Sequence, residues 1–407
     1  MEEKSSATIL TLSIMGFTFS AANLMLNPII SIYARDYAGA SIQEIGLIIS
    51  AFSMIAMFSK PLLGFFVTGK KILWMPILGL SLMIISPFAM TLIVTPAALI
   101  FWRLIQGLGN ALIWTPLLTL IAIISSRKQL QQNISSYTTI TSVGMAFGPM
   151  IGTFSNSIFG IKNTFLCASV IAIIGLLIST KVIRNRKNIF SNEGFKDSGS
   201  KFSSTDLKAV LSNKTIRLPF ISYLANSFVY SILVAYGTIY AISLGINENL
   251  IPLLFVGYNV IVLATRFFLR RIMRTIDKKN LLIIALVNTV CMMVIMSFAN
   301  TLVFILAFAL LGFSHGIIYP LGAMFVAESI DTKNLGVANA FYTTMWDVGN
   351  FIGPAASSQV IVAANNSIPP ALLFSTSLPI VGLILNFVWR EKTVSKSLDK
   401  ESEKGKS

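Results

Sequence analysis

The chain has 407 residues, of which 55% are hydrophobic and only 12% are charged, and its mean hydropathy is +0.77. This composition excludes an ordinary water-soluble protein and indicates an integral membrane protein. The formal net charge of +15 by itself would suit a nucleic-acid-binding protein, but the positions of the basic residues argue against that class.

The chain is a series of twelve apolar runs, each near or above the roughly 20 residues that a helix needs to cross the hydrocarbon core of a membrane. We predict spans at 8–33, 42–66, 72–94, 96–124, 134–157, 161–183, 215–243, 250–272, 280–299, 301–327, 335–363 and 369–389. The first run is too long and too polar at its start for a cleaved signal peptide. Such long unbroken runs also argue against a barrel of short alternating strands.

Lysine and arginine are distributed unevenly among the loops between these spans. With the N-terminus inside, the outward-facing loops hold only Arg35 and Lys162. This distribution obeys the positive-inside rule and predicts that both termini face the cytoplasm. We therefore expect a multi-pass protein of a bacterial plasma (inner) membrane, in contact with anionic lipid and not with nucleic acid.

A polar stretch rich in Ser, Lys and Asn, residues 184–214, separates the sixth and seventh spans. It predicts a cytoplasmic linker between two units. The predicted units are an N-terminal six-helix bundle (1–183) and a C-terminal six-helix bundle (215–390), followed by a cytoplasmic tail (391–407).

One segment of the chain occurs twice. Residues 137–149 read YTTITSVGMAFGP and residues 342–354 read YTTMWDVGNFIGP, so seven of thirteen positions coincide at an offset of 205. Glycines four residues apart share a helix face and allow close approach of a neighbouring backbone, and a proline kinks a helix. We predict a conformational motif of Gly144, Gly148 and Pro149, repeated as Gly349, Gly353 and Pro354, and we add Gly107 of the fourth span to it. Repetition at such a long period is typical of secondary transporters.

The same duplication extends beyond this segment. At an offset of 205, Gly107 matches Gly312, Asn110 matches His315, and Trp114 matches Tyr319; at an offset of 206, Lys60 matches Arg266. The sequence therefore predicts two parallel halves of six helices each.

Two motifs carry a resemblance to a known family. The fourth span reads RLIQGLGNA from Arg103, and the fifth reads GMAFGPMIG from Gly144. These segments resemble the R-x-x-Q-G-x-G-x-A motif and the antiporter motif of the major facilitator superfamily, specifically its twelve-helix drug/proton antiporters. The loop from Gly64 to Lys71 is shorter than the family's G-x-L-x-D-R-x-G-R-K pattern and lacks its aspartate. The resemblance covers the whole chain.

The resemblance implies an all-α membrane protein with twelve transmembrane helices in two pseudo-symmetric six-helix bundles. It also implies a cavity lined by the first, fourth, seventh and tenth helices, and a role for Arg103 in proton coupling. From the residues alone, a cation within a span is costly unless it is paired or hydrated, so Arg103 is expected to face a cavity. The alternative is that its side chain extends to the nearby membrane interface.

Asp347 is the deepest carboxylate of the chain, and its counterpart in the first copy of the repeat is the neutral Ser142. A buried carboxyl group can exchange a proton when water reaches it, which is what proton coupling requires. The alternative is a structural hydrogen bond, for instance to Asn350. His315 is the single histidine, a residue type that titrates near neutral pH, and it is either a further coupling residue or a hydrogen-bonded structural one.

A substrate pocket is predicted from amide and aromatic residues on the cavity-lining helices. Asn23 and Asn27 share a face of the first span, and Asn226 and Tyr230 share a face of the seventh. The predicted substrate-binding residues are Asn23, Asn27, Asn110, Trp114, Asn226, Tyr230, Tyr236 and Tyr319. Such a pocket suits small amphipathic compounds, although each aromatic residue could instead serve only in packing.

The predicted function is a proton-coupled secondary transporter that exports small, amphipathic, drug-like organic compounds by alternating access. Enzyme motifs and an ATP-binding loop are missing from the sequence, so we expect no catalysis and no cofactor. The cysteines, Cys167 and Cys291, lie in apolar runs, which predicts no metal cluster. Expected partners are the substrate, protons and the lipid bilayer, and we expect a monomer.

Three different functions stay open beside this one. The first is a dedicated exporter of one endogenous metabolite, such as a siderophore or metallophore, if Arg103 holds an anionic group of the substrate. The second is a sugar or metabolite importer of the same fold. The third is an uncoupled channel or scramblase.

Overall fold

The computed structural model describes residues 2–66, 72–125, 129–184, 213–330 and 335–386. Residues 185–212 of the predicted linker, all of the predicted tail, and residues 67–71 of the short loop lie outside these ranges. The described residues form helices and short connections, with no β-strand among them. The all-α prediction is therefore confirmed.

Twelve helical segments correspond to the twelve predicted spans. In the first half they are α1 (Glu2–Leu24, then Ile30–Asp36), α2 (Ile42–Phe66), α3 (Trp74–Leu92), α4 (Pro96–Ile124), α5 (Leu130–Phe159) and α6 (Ile161–Arg184). In the second half they are α7 (Arg217–Ile232, a π-helical stretch Leu233–Gly237, and Thr238–Ser243), α8 (Ile251–Ile272), α9 (Lys278–Ser297), α10 (Thr301–Ser329), α11 (Leu335–Ala363) and α12 (Pro369–Phe374, then 377–386).

Ten helices within the described ranges are long and apolar enough to cross a membrane, by length and composition. The two other long helices are α5 and α11, with 30 and 29 residues. They carry the repeated segment, whose Ser, Thr, Asn and Asp residues lower its hydropathy.

The first helix differs from its prediction as one continuous span. Helix α1 ends at Leu24 and resumes at Ile30, because Pro28 has no N–H to donate to the Leu24 carbonyl and its ring crowds that oxygen. Asn27 therefore lies in the break, and the prediction that Asn23 and Asn27 share one regular helix face is wrong.

The two halves pack their helices in the same order. α1 packs on α5 as α7 packs on α11, α2 packs on α4 as α8 packs on α10, and α3 packs on α4 as α9 packs on α10. Between the halves, α2 packs against α11 and α8 packs against α5. The predicted duplication is therefore visible as a repeated packing pattern, with two crossed contacts between the halves.

The glycine motifs allow the close helix contacts that the sequence predicts. A Cβ atom added to Gly144 would lie 2.5 Å from the carbonyl oxygen of Phe17 on α1. The equivalent Gly349 lies equally close to the carbonyl oxygen of Leu224 on α7. Gly148 and Gly353 make similar approaches one turn further along. The helices α5 and α11 continue through Pro149 and Pro354.

The halves are joined tightly at one end of the molecule, which we call the closed end. Hydrogen bonds there join Arg35 to Glu248 (3.1 Å), Asn156 to Asn249 (3.3 Å), and Ser31 Oγ to the carbonyl oxygen of Val234 (2.7 Å). A large cluster of buried apolar side chains continues from the first half into α7, α8 and α10 near this end. A separate cluster lies within the second half alone.

Candidate functional site

An ion pair between the halves lies at the centre of the candidate site. Lys60 Nζ on α2 donates to Asp347 Oδ2 on α11 at 2.7 Å. The side chains are 12% and 2% exposed, so both charges are largely withdrawn from solvent. The alternative that Asp347 bonds to Asn350 is wrong, because Asn350 donates to the Trp346 carbonyl instead.

The equivalent contact between the halves, where α8 packs against α5, contains no acidic residue within the described ranges. Arg266 on α8 donates from Nη1 to Ser142 Oγ on α5 at 3.2 Å. Arg266 is the counterpart of Lys60, and Ser142 is the counterpart of Asp347, within one residue of register. The two contacts between the halves therefore join equivalent positions but differ in charge, and α2 packs more extensively on α11 than α8 does on α5.

Arg103 lies inside the first half and does not extend to the membrane interface. It is 3% exposed, and its Nε donates to the Ile48 carbonyl at 3.3 Å while Nη1 donates to Gln106 Oε1 at 2.8 Å. Its Cζ lies 4.6 Å from the centre of the Phe52 ring. Within the described residues, no carboxylate lies within ion-pair distance of Arg103.

A line of amides continues from Arg103 toward the second half. Gln106 Nε2 donates to Asn23 Oδ1 at 3.3 Å, and Asn27 Nδ2 donates to Tyr230 Oη at 3.4 Å. The second of these bonds crosses between the halves. Asn23 and Asn27 are both partly exposed although they face the interior, which indicates accessible space between the halves.

His315 lies among aromatic side chains of the second half. Its Nδ1 is 2.7 Å from Tyr258 Oη. Its ring centre lies 5.9 Å from that of Tyr230 and 5.1 Å from that of Trp346. The structure therefore brings together His315 and Tyr230 from the predicted set, and it adds Tyr258 and Trp346, which the sequence did not single out.

A second group of aromatic rings continues from this one toward Arg266. Tyr223 packs on Tyr319 at 5.5 Å between ring centres, on Tyr342 at 4.6 Å and on Trp346 at 5.3 Å. The Cζ atom of Arg266 lies 5.9 Å from the centre of the Tyr319 ring. These rings provide an apolar wall with a guanidinium at one edge.

The other predicted pocket residues are placed differently. Tyr236 is fully buried in the π-helical stretch of α7, and its hydroxyl donates to the carbonyls of Ile42 and Pro354, so it joins the halves instead of lining the aromatic group. Trp114 contacts the edges of Phe19 and Tyr137 within the first half.

Two predicted amides are buried more deeply than Asn23 and Asn27. Asn110 and Asn226 are each 4% exposed, and Asn226 Nδ2 has no hydrogen-bond partner within the described residues. A buried amide without a partner is costly, which makes Asn226 available to a polar ligand group.

Lys60 and Arg266 are the site residues that sequence reasoning missed. A long cationic side chain near a helix end commonly extends to the interface, so neither residue stands out in the sequence as part of an interior site. The available signal was their match at an offset of 206, next to the match of Ser142 and Asp347 at 205. Groups of His, Cys, Asp or Glu suitable for a metal ion are not found within the described ranges.

Comparisons with known proteins show the family to which this fold belongs. The family model described as Major Facilitator Superfamily matches residues 12–354 and, in a second match, 219–407. An uncharacterized MFS-type transporter of Methanocaldococcus jannaschii is 23% identical over 355 residues, which covers 86% of this chain and 90% of that protein. The quinolone resistance protein NorA of Staphylococcus aureus is 24% identical over 337 residues, covering 80% and 83%.

Solved structures show the same fold. The nucleoside transporter NupG superposes with a TM-score of 0.74 at 14% identity, covering 94% of this chain and 98% of NupG. A bacterial homologue of the human lysosomal transporter Spinster, in an inward-facing and unoccupied conformation, superposes with a TM-score of 0.73 at 10% identity, covering 94% and 96%.

Proposed function

Because the chain belongs to the major facilitator superfamily, whose members are membrane transporters, we propose that it is a proton-coupled exporter of small amphipathic organic compounds. The observation that carries this proposal is the ion pair between Lys60 on α2 and Asp347 on α11. It is a charged contact between the two halves, and a single proton can remove it.

The coupling follows from what protonation does to this pair. A proton on Asp347 neutralises the carboxylate, so Lys60 loses its charged partner and the α2–α11 contact weakens. The proton then favours one arrangement of the halves over the other, which is the differential effect that a driving ion must have. Each proton that moves down the membrane potential supplies about 2.3 kcal/mol per 100 mV.

The proposed orientation of the protein in the membrane is based on the distribution of its basic residues. Among the described residues, the closed end carries Arg35 and Lys162, whereas the connection from α8 to α9 at the opposite end carries Arg270, Arg271, Arg274, Lys278 and Lys279. The positive-inside rule then assigns the closed end to the outside. Both termini then face the cytoplasm. In this proposed orientation, the described arrangement is closed toward the outside.

The substrate class follows from the interior of the second half. The aromatic wall of Tyr223, Tyr230, Tyr319 and Trp346, with the amides of Asn27 and Asn226, offers apolar area and a few orienting polar groups. NorA, which resembles this chain over most of its length, is described as a quinolone resistance protein. That description favours export of aromatic organic compounds over import.

Import is the second candidate function. It is favoured by the superposition on the nucleoside transporter NupG, but at 14% identity this likeness concerns the fold alone. A dedicated exporter of one metabolite uses the same residues and differs only in substrate range.

The test is transport in inside-out membrane vesicles with and without an imposed pH gradient. We expect uptake of an exported aromatic dye to depend on the gradient, to stop with a protonophore, and to be lost in Asp347→Asn. The matched control is Glu328→Gln, an exposed acid paired with Lys278 at the surface, which should transport normally. Full gradient-driven uptake by Asp347→Asn would remove Asp347 from the mechanism, and protonophore-resistant uptake would favour an uncoupled channel.

A further inference from the structure

Arg266 is the counterpart of Lys60, which has an acidic partner in Asp347. Phe52 and Tyr258 are related by the same offset of 206, and their carbonyl oxygens face Gly107 and Gly312 respectively in equivalent close contacts. The α2 and α8 helices therefore lie in equivalent positions around their partner helices. Lys60, about two helix turns beyond Phe52, meets Asp347.

Arg266 lies at the equivalent place, where its hydrogen-bond partner within the described residues is a hydroxyl and not an acid. Its Nη1 donates to Ser142 Oγ at 3.2 Å, while its Nε is buried and has no hydrogen-bond partner within the described residues. No ion pair to Arg266 is found within those residues. A hydroxyl does not neutralise a guanidinium, and a buried cation without an anion is strongly unfavourable.

We infer that Arg266 and Ser142 form a binding site for an oxyanion, the carboxylate or phosphate group of a transported organic compound. A guanidinium presents parallel N–H donors that match two oxygens of such a group, and the hydroxyl of Ser142 supplies one more donor. The bound anion takes the place that the carboxylate of Asp347 has in the other crossing. This inference rests on the proposed transport function for the nature of the cargo.

The body of the compound is aromatic or apolar. Tyr319 lies beside the guanidinium, and both Tyr319 and Trp346 are partly exposed, while the buried ring of Tyr223 packs against both. A ligand that places its anionic group on Arg266 therefore places its adjacent ring against tyrosine faces, where offset or edge contacts between rings are favourable. The site selects small aromatic acids over neutral compounds of the same shape.

The test is equilibrium binding to the purified full chain in detergent, without any gradient. The probes are 2-naphthoate, the neutral 2-naphthamide of similar shape, and 2-naphthyl phosphate. We expect both anions to bind more tightly than the amide, and Arg266→Gln to weaken anion binding by about ten- to a hundredfold while leaving the amide unaffected. Whichever anion binds more tightly identifies the oxyanion type.

The matched control is Arg274→Gln, which removes the same charge from an exposed position after α8 and should change nothing. Equal affinity of the unmodified protein for naphthoate and naphthamide, or no binding of either anion at millimolar concentration, would overturn the inference. Equal loss of anion and amide binding in Arg266→Gln would show that Arg266 only holds α8 to α5.

A second variant tests the same idea if Arg266→Gln does not fold. Ser142→Asp installs the acid that the first copy of the repeat lacks, so it should pair with Arg266, raise the melting temperature and abolish binding of naphthoate. Ser142→Asn, of similar size and neutral, should keep anion binding. Naphthoate binding of unmodified strength in Ser142→Asp would refute the site.

These measurements are independent of proton coupling. Binding without a gradient can fail while Asp347→Asn still abolishes gradient-driven uptake, in which case only the oxyanion site is wrong. The reverse result would keep the site and remove the proposed coupling.

Discussion

At the scale of single residues, Lys60 and Asp347 show how two buried charges of opposite sign stabilise each other. Removing either partner of a buried pair leaves an uncompensated charge, whereas replacing both by apolar groups is often neutral or stabilising. The pair here is buried to 12% and 2% exposure, so it belongs to this class. The ion pair can act as a switch between arrangements of the halves, because its strength depends on whether Asp347 carries a proton.

The first prediction concerns this pair. Lys60→Met should lower the free energy of unfolding in detergent by about 3 kcal/mol at neutral pH, since Asp347 is left as an unpaired carboxylate. The loss should shrink as the pH falls, because a protonated carboxyl group needs no cation. The double variant Lys60→Met with Asp347→Leu should regain most of the stability, and a double variant as unstable as the sum of both singles would contradict the pairing.

The second prediction concerns Arg103, whose guanidinium donates in two directions, to the Ile48 carbonyl and to Gln106. Arg103→Lys keeps the charge but cannot make both bonds in the same plane. We expect a loss of about 1–3 kcal/mol in unfolding free energy, measured by thermal unfolding in detergent. If Arg103 needed only to be positive, the lysine variant would be as stable as the unmodified protein.

At this scale the sequence identified the buried charges more reliably than their partners. The cost of a cation within a span predicted that Arg103 would be held inside, and the depth of Asp347 predicted a special environment. The partner of Asp347 was not predicted, because Lys60 lies in the other half of the chain, 287 residues away. The direction of a long flexible side chain is determined by packing between helices, which sequence periodicity does not encode.

At the scale of single helices, two departures from regular α-helical geometry contact each other. The break in α1 at Pro28 and the π-helical stretch of α7 lie side by side, since Ser31 Oγ donates to the Val234 carbonyl at 2.7 Å. Irregular turns of this kind leave backbone carbonyls without helical partners and are frequent at functional positions. A proline predicts such a break in α1, but a π-helical stretch in α7 has no comparable sequence signal.

The third prediction concerns the glycine contacts. Gly144→Ala would place a Cβ atom 2.5 Å from the Phe17 carbonyl oxygen, so α5 must move away from α1, at a cost of about 1–3 kcal/mol. Gly257→Ala on α8 is the matched control, because its Cβ would meet only Ala309 at 3.6 Å. It should be neutral or stabilising by about 0.5–1 kcal/mol, because alanine favours a helix over glycine.

Melting temperatures of the two variants in the same detergent provide the measurement. The same comparison can be made with Gly349→Ala, whose Cβ would lie 2.5 Å from the Leu224 carbonyl oxygen. If the alanine variants at Gly144 and Gly257 were equally stable, the close approach of α5 and α1 would not need the glycine.

At the scale of the whole molecule, the two halves share one helix-packing pattern because the chain contains a duplication. Their sequences have since diverged, so that equivalent positions carry different charges. The repeated segment predicted equivalent roles for α5 and α11, and both pack on the equivalent helices of their halves. The crossing of α2 with α11 and of α8 with α5 did not follow from the repeat, because a repeat specifies each half but not how the halves meet. The sequence shows that Ser142 replaces Asp347 in the first copy, but it does not show which cation each of them contacts in the other half.

The last prediction follows from the closed end. A transporter that works by alternating access must separate the halves at this end once in each cycle, so a covalent link there should stop transport but leave binding from the opposite end intact. Arg35 and Glu248, which pair at 3.1 Å, can be replaced by cysteines in a chain whose native Cys167 and Cys291 are changed to serine. Treatment with a short bifunctional thiol reagent should then abolish transport in vesicles, while each single-cysteine variant keeps its activity after the same treatment. Transport at the full rate by the cross-linked protein would mean that substrate does not pass between Arg35 and Glu248, and the closed end would have no gating role.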